Sequence, residues 1–509
     1  MKPKVLLAAI AILLIICAGA FTILNNTSGT DSVSVDANAL EDKGNLIVDA
    51  KTLDESKGLY HTENADINAI LVKNGGILKL TQSIINKTGD TATSGDDADF
   101  YGVNSAILVN TNGSLEISGV EITTNSKGSN GIFVTNANAS SSGSSQGGAG
   151  GQPPEAQGTS EGGQPPETGG DGGQPPEAQG TSEGGQSPEK PDGNGGGNPG
   201  ETTVSGNTQA TIKNVKITTH SDKSRGLDAT YNGIINAENV IINTDGQSCA
   251  ALATDRGEGQ VHVKNSDINT GVSKSSGRGS PLIYSTGNIT LENTKGTSYV
   301  SQIACIEGKN SIKLTDCDLK GFAEGNRKDG DAYVDLGGVF IYQSMSGDAD
   351  VGTSLFDAKN SKLAIPEESS VYKEAPMFHV TNTACVINLD NTELSFGSGT
   401  FLEVSSQNQW GNQGSNGGVA ELNTNNEKID GNVIVDTISS LNWTMKNTEF
   451  KGAINSTGNA TVNVADGSTW TLTGDSSVSS LTVSGKIDYG QYSLTVNGQK
   501  YDSSNPFKG

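Results

Sequence analysis

The chain predicts an all-β solenoid of stacked parallel coils, and three observations carry that expectation. The first is a phrase that recurs with altered spelling. It consists of an alternating apolar stretch, a turn residue, and then two residues to another aliphatic. It reads TIKNVKI around Asn214, INAENVI around Asn239, VHVKNSDI around Asn265, ITLENTKG around Asn293 and IKLTDCDL around Asp316. These turn positions lie 25, 26, 28 and 23 residues apart. A period in the twenties built from short strands marks a repeat array whose units bury their apolar sides only by stacking on one another.

The second observation is composition. Aromatic residues make up 5% of the 509, while glycine reaches 67. That balance suits many short strands joined by tight turns and argues against a globular enzyme with an aromatic-lined cleft. The third is an interruption that leaves the pattern unchanged on either side. From about Ala137 to Thr203 the chain is low in complexity, and its centre is a tandem duplication. GGQPPEAQGTSEGGQPPETGGD (150–171) is followed by GGQPPEAQGTSEGGQSPEKPDG (172–193). With almost no large apolar residue this block cannot offset its ordering entropy, so a disordered insertion over 137–203 is expected. Its PPE steps lack the basic flank of a Pro-rich ligand, which favours a tolerated loop. The same strand grammar resumes at Ala210, so one solenoid is expected on both sides of the block.

Taken in order, the chain opens with Lys2 and Lys4 before an apolar run from Val5 to Leu24. Ala18-Gly19-Ala20 offers a small-residue cleavage site, so residues 1–20 read as a signal peptide. The run is also long enough to remain as an N-terminal anchor, the only expected membrane contact. Cys17 invites lipidation, but Ile16 before it is large for that role. Each route places the rest outside the cytoplasm. Residues 21–44 read as a polar spacer. The first β-helical coils are expected over 45–136, the continuation over 204–500 and a short tail over 501–509. The recurrent Asn suits a sharp corner because it tolerates left-handed backbone, and stacked amides can bond along a ladder. Gly119, Asn391 and Asn447 take the same place in other units. About 390 ordered residues at roughly 24 per coil would give about 16 coils and a stack of about 75 Å.

At this point the chain resembles the right-handed parallel β-helix proteins of pectin-lyase-like fold found among surface proteins of gut bacteria and methanogens. The phrases carrying the resemblance are DDADFYGVNSAILV (96–109), ALATDRGEG (251–259), SPLIYSTGNI (280–289), IEGKNS (306–311), GGVFIYQSMSGDA (337–349) and STWTLTGDSSVSSL (468–481). It covers nearly everything from residue 45 onward. It implies a secreted or cell-surface, adhesin-like role, and it supplies no catalytic residues.

The net charge of −24 repels nucleic acid and anionic lipid, and it suits an extracellular protein kept in solution. The expected partner is an extracellular glycan or cell-surface component. No cofactor is expected, with Ca²⁺ the one candidate. Cys249, Cys305, Cys317 and Cys385 form no CxxC pair and read as buried thiols, a disulfide being the alternative open to an exported protein.

The rival function is a carbohydrate-active lyase or hydrolase, because the same coil shape hosts both. A lyase needs carboxylates holding Ca²⁺ and a nearby Arg or Lys base. Arg225, Arg256 and Arg278 each precede a Gly or lie one residue from one. By spacing, Arg225 and Arg278 share a face two coils apart while Arg256 lies on another turn. Pairing with neighbours such as Asp228 or Asp255 is the plainer reading. His61, His220, His262 and His379 are scattered, and His262 alternates with valines and should point outward. Three acidic clusters are weighed for Ca²⁺: Asp96, Asp97 and Asp99; Asp329 and Asp331; Asp348 and Asp350. Solvated turns are the commoner explanation of each. For glycan contact, the loop QNQWGNQGSNGG (407–418) sets Trp410 among amides including Asn412 and Gln413, giving a stacking face with hydrogen-bonding groups. Capping of a coil is the alternative for Trp410, and core packing is expected for Trp443 and Trp470. No catalytic residue is assigned.

Overall fold

The computed structural model describes residues 35–93, 95–137, 206–274, 278–325, 328–329, 332–333 and 335–508. The expected signal segment and the insertion, apart from Ala137, lie outside them, as do all but the last ten residues of the spacer. The rest is a parallel β-helix-like solenoid. One sheet holds 22 strands and a second holds 16, nearly all parallel. In each coil a short strand of the second sheet, such as Leu227–Thr230, leads through a tight turn into a long strand of the first sheet, such as Ile234–Thr244. The long strand bends at its middle, and a further turn returns the chain to the second sheet one rung on.

The bend is the turn position read from the repeat. Asn214, Asn239, Asn265, Asn293 and Asp316 all take positive φ, between 46° and 55°, and Gly119, Asn391 and Asn447 share that conformation. The Asn239 amide donates to the Asn214 side-chain oxygen at 2.5 Å, and Asn293 donates to Asn265 at 2.8 Å. The ladder therefore runs in pairs, with each amide spanning one rung. The next residue turns inward and completes the corner. The hydroxyls of Ser83, Ser266, Ser361 and Thr448 each donate to the carbonyl two residues back. Backbone N–H groups of neighbouring rungs then donate to Ser83, Ser266 and Ser361. Corner polar groups that would otherwise be buried unpaired are thus satisfied from within the stack.

The inner faces of both sheets share one core of Ile, Val, Leu and Ala, joined by aromatic rings towards the C-terminus. At the end of the long strand an inward polar row runs through Thr219, Thr244, Thr270 and Ser298, each hydroxyl donating to a carbonyl across the turn. Lys87 occupies this row at the N-terminal end, fully buried. Its ammonium donates to the carbonyls of Asn64, Thr88 and Gly89. Burial pushes its pKa down to about 8. Gly233 opens the rung after Leu227–Thr230 because a Cβ there would collide with the Val134 carbonyl one coil away.

The register crosses the low-complexity block without a break. Ile132–Thr135 pairs with Leu227–Thr230, and Ser114–Asn125 pairs with Gln209–Thr219. The two feet of the block are tied together, since Thr208 donates through both N–H and hydroxyl to the Asn136 side-chain oxygen. The coil boundaries differ from expectation at both ends. Glu41–Gly44 is already a strand, paired with Gly58–Tyr60, so the spacer ends earlier than residue 44. At the other end Gln499–Tyr501 folds back antiparallel on Leu494–Val496, and Phe507 packs edge-on against Tyr501. The expected tail is thus a cap that covers one open strand edge.

Candidate functional site

The second sheet is buried on both faces over much of its length. Strands Ile107–Asn110, Ile132–Thr135, Leu227–Thr230, Ala304–Glu307, Val339–Tyr342 and Phe378–Thr381 have every residue buried. Alternate residues still point away from the core. In register they form the row Phe133, Asp228, Ala253, Tyr284, Cys305 and Phe340. What covers this row is a short helix, α1 (Gly95–Tyr101), together with the segments around Asp348 and Trp410.

At the α1 end the cover is held by charge. Asp99 accepts from Arg225 Nη1 at 2.6 Å and Lys223 Nζ at 2.9 Å. Arg225 Nε lies 2.8 Å from Asp255 Oδ2 and 3.8 Å from Asp228 Oδ2. Arg256 donates to Asp348, 92 residues away, and its guanidinium sits 3.6 Å over the Phe100 ring of α1. The Phe100 carbonyl accepts from Thr230, and Tyr101 stacks on Tyr231. Asp228 is wholly buried, and burial followed by the neighbouring Asp255 charge pushes its pKa well above the carboxylate range. Burial raises the Asp255 pKa as well, and Arg225, whose Nε lies closer to Asp255 than to Asp228, works against that rise. Asp99 is held low by Arg225 and Lys223, against its own burial. Asp99, Asp255 and Asp348 thus contact Lys223, Arg225 and Arg256, with Asp228 buried beside them.

Further along, Tyr284 donates to the buried Glu307 carboxyl at 2.8 Å, and Ser344 donates to its other oxygen. Burial raises the Glu307 pKa, against those two hydrogen bonds. Cys305, Phe340, Tyr342 and Trp410 form a second hydrophobic cluster, with Tyr342 and Trp410 ring centroids 4.5 Å apart.

These facts correct three expectations. Trp410 is 6% exposed and packed against Tyr342, so it offers no open stacking face, although Asn412 and Gln413 beside it are exposed. The capping alternative fits it. Asp96, Asp97 and Asp99 lie on a helix rather than a turn, and the helical rotation separates them. Asp96 is exposed while Asp99 faces Arg225. Among the described residues no group of three His, Cys, Asp or Glu side chains is placed to hold a metal ion. Arg256 lies on another turn from Arg225, as its spacing implied, yet both reach α1, Arg225 through Asp99 and Arg256 over Phe100. Sequence spacing missed this meeting because α1 and the Asp348 loop are remote in the chain.

Most other expectations hold. Arg225 does pair with Asp228 and Asp255. Asp348 and Asp350, expected on a solvated turn, instead pair with Arg256 and Lys309. Asp331 lies outside the described residues. His262 sits in an outward position of its strand, hydrogen-bonded to Thr290. Trp443 and Trp470 are fully buried, their indole N–H groups donating to Thr424 and the Gly452 carbonyl. All four cysteines are free and buried.

The outer face of the long sheet is open by contrast. Between Thr353 and Thr461 it carries a shallow trough of about 430 Å³. No described helix is long and apolar enough to cross a membrane. No protein-family model, curated protein or solved structure matches this chain.

Proposed function

We propose that this chain is an exported or surface-tethered β-helix of the pectin-lyase-like kind, acting as a non-enzymatic, adhesin-like protein that contacts glycans or other cell-surface components. One contrast carries the reading. Arg225, Asp228 and Asp255 on the second sheet are buried against one another, whereas the long sheet presents an open face of Asn, Thr, Ser and charged side chains. A surface built for contact needs the second arrangement. A catalytic dyad needs solvent and substrate access that the first lacks.

The Asp228–Asp255 pair favours a second reading, a β-helix hydrolase or lyase. A pair of carboxyls on successive coils is what acid–base cleavage of a glycoside uses. For that role α1 would have to leave its seat. The test is a glycan array probed with the full chain, run beside an assay for released reducing or unsaturated ends. Binding without product supports the adhesin-like reading. Product formation that is lost in Asp228→Asn overturns it in favour of the enzyme.

A further inference from the structure

The trough on the long sheet has a composition that its surroundings lack. Its strands are Thr353–Lys359, Ala384–Asp390, Val419–Asn425, Ser440–Lys446 and Asn459–Val464, stacked in register. Two outward rows line it. One runs Thr353, Ala384, Val419, Ser440, Asn459 and the other Val386, Glu421, Asn442, Thr461. Val419 is 51% exposed, an unusual place for a valine on a polar sheet face, and Ala384 and Val386 adjoin it. Beyond this apolar patch stand Ser440, Asn442, Asn459 and Thr461. None of these four side chains hydrogen-bonds to another described residue, although the amides of the next row are used. Asn423 donates to Asn388 and to Glu421, and Asn425 donates to Asp390.

Exposed aliphatic surface beside unused amide and hydroxyl groups complements one ligand chemistry in particular, a sugar ring with an apolar face and a hydroxyl rim. Charge narrows the class further. Glu421 is the only ionisable side chain in the trough besides the buried Cys385 thiol, and it already accepts from Asn423. No cation is present to take a uronic acid or a sulfate. Rungs repeat every ~4.8 Å across the five strands, so the trough spans about 19 Å along the stack.

We infer that this trough is a binding site for an uncharged, linear glycan lying across the strands, parallel to the solenoid axis. The inference rests on the adhesin-like reading and assigns its contact surface. With no aromatic ring in the trough, affinity per site is low and rises with ligand length until the five rungs are filled.

The experiment titrates the full chain with neutral oligosaccharides of increasing length, cello-, xylo-, manno- and N-acetylglucosamine series, and with oligogalacturonates as the charged comparison. Three variants are used: Ser440→Arg, which fills the trough, Asn442→Ala with Asn459→Ala, which removes two amides, and Lys213→Ala on the same sheet outside it. Circular dichroism and thermal melts confirm folding of each. The expected result is binding to a neutral series that strengthens with length and then levels off. Both trough variants should weaken it at least tenfold, and Lys213→Ala should leave it unchanged. Neutral-glycan binding that survives both trough variants overturns this site while leaving the adhesin-like reading in place. Preference for oligogalacturonates overturns the ligand class. Binding of no glycan by the unsubstituted chain, on this series or on the array, overturns both.

Discussion

The coils before Glu393 and those after it use one backbone plan with different chemistry. In the earlier coils the core is almost wholly aliphatic, and the long sheet's outer face is zipped by ion pairs between neighbouring rungs. Lys79–Glu116, Lys213–Glu238, Lys264–Glu292 and Asp267–Lys295 are all register partners. A chain of rings starts just before that boundary, at Phe356 and Phe378, and runs on through the later core to Phe401, Trp443, Phe450 and Trp470, with successive centroids 4.7 to 5.9 Å apart. No ion pair joins described residues beyond Glu393 there, and the strands after the corner separate into a sheet of their own, Lys428–Asp430 to Lys486–Asp488. On that face Asn423 and Asn425 are bonded within the sheet, while Ser440, Asn442, Asn459 and Thr461 are not bonded to other described residues. The solenoid therefore divides labour along its axis, with self-satisfied rungs first and open ones later.

Removing a ring tests that contrast most severely. Trp443→Ala should cost about 3–5 kcal/mol through lost burial and the cavity left between Phe401 and Phe450. Because stability in a solenoid is set by nearest-neighbour contacts, the loss should appear first in the later coils. Hydrogen exchange during denaturant titration would show it. Uniform loss of protection along the whole stack would mean that the two regions do not melt separately.

Two ionisable groups shifted by burial, one in each region, carry opposite pH signs. Glu427 takes the inward corner position that hydroxyls hold elsewhere, accepts from the Thr392 N–H, and is pushed up to about 8 by burial. A carboxyl raised in the folded state adds stability below its ordinary value of 4.5, and that stability is lost as pH rises towards about 8. Glu427→Gln should abolish that decline, which amounts to a few kcal/mol at most after discounting for relaxation. Lys87 runs the other way. Its pKa is lowered from 10.5 to about 8, so the protein loses stability as pH falls through that window. Lys87→Met should flatten the alkaline side of the profile. Urea midpoints from pH 5 to pH 10 read both effects, and an unchanged slope in either variant would refute the corresponding assignment.

The smallest effect is expected at the corner. Asn239→Gly keeps the left-handed backbone and loses the amide bond to Asn214, for about 1 kcal/mol. Asn239→Ala keeps a Cβ at positive φ without the local polar bonding that lets Asn tolerate it, and should fall roughly another 1 kcal/mol below Asn239→Gly. Thermal melts that fail to rank Ala below Gly would show that side-chain bonding, and not the backbone angle, selects Asn here.

Much of the fold was legible because it is local and periodic. The step between Asn214 and Asn239 is one coil, and the side-chain alternation on either side of each corner sets which face is buried. The same periodicity carried the register across the low-complexity block, where Asn136 and Thr208 close the gap. The candidate site was only partly legible. Arg225 with Asp228 and Asp255 was anticipated, since those residues lie one coil apart. Arg256 with Asp348 was not, and neither was the burial of Trp410, because each depends on a loop reaching over the second sheet from coils away.

By itself, the sequence determined the repeat, the corners, the alternation of inward and outward residues, and hence the rows in which side chains must stand. These are consequences of strand pleat and turn conformation, which act over a few residues. Tertiary structure alone decided which outward rows are covered and which stay open. That outcome depends on where α1 and the long loops come to rest, and on whether the charges they bring can be balanced there. Over the second sheet Asp99 and Asp348 found Arg225 and Arg256 and closed the surface. Over the later long sheet no such partners stand opposite Ser440, Asn442 and Asn459, and the face remains exposed.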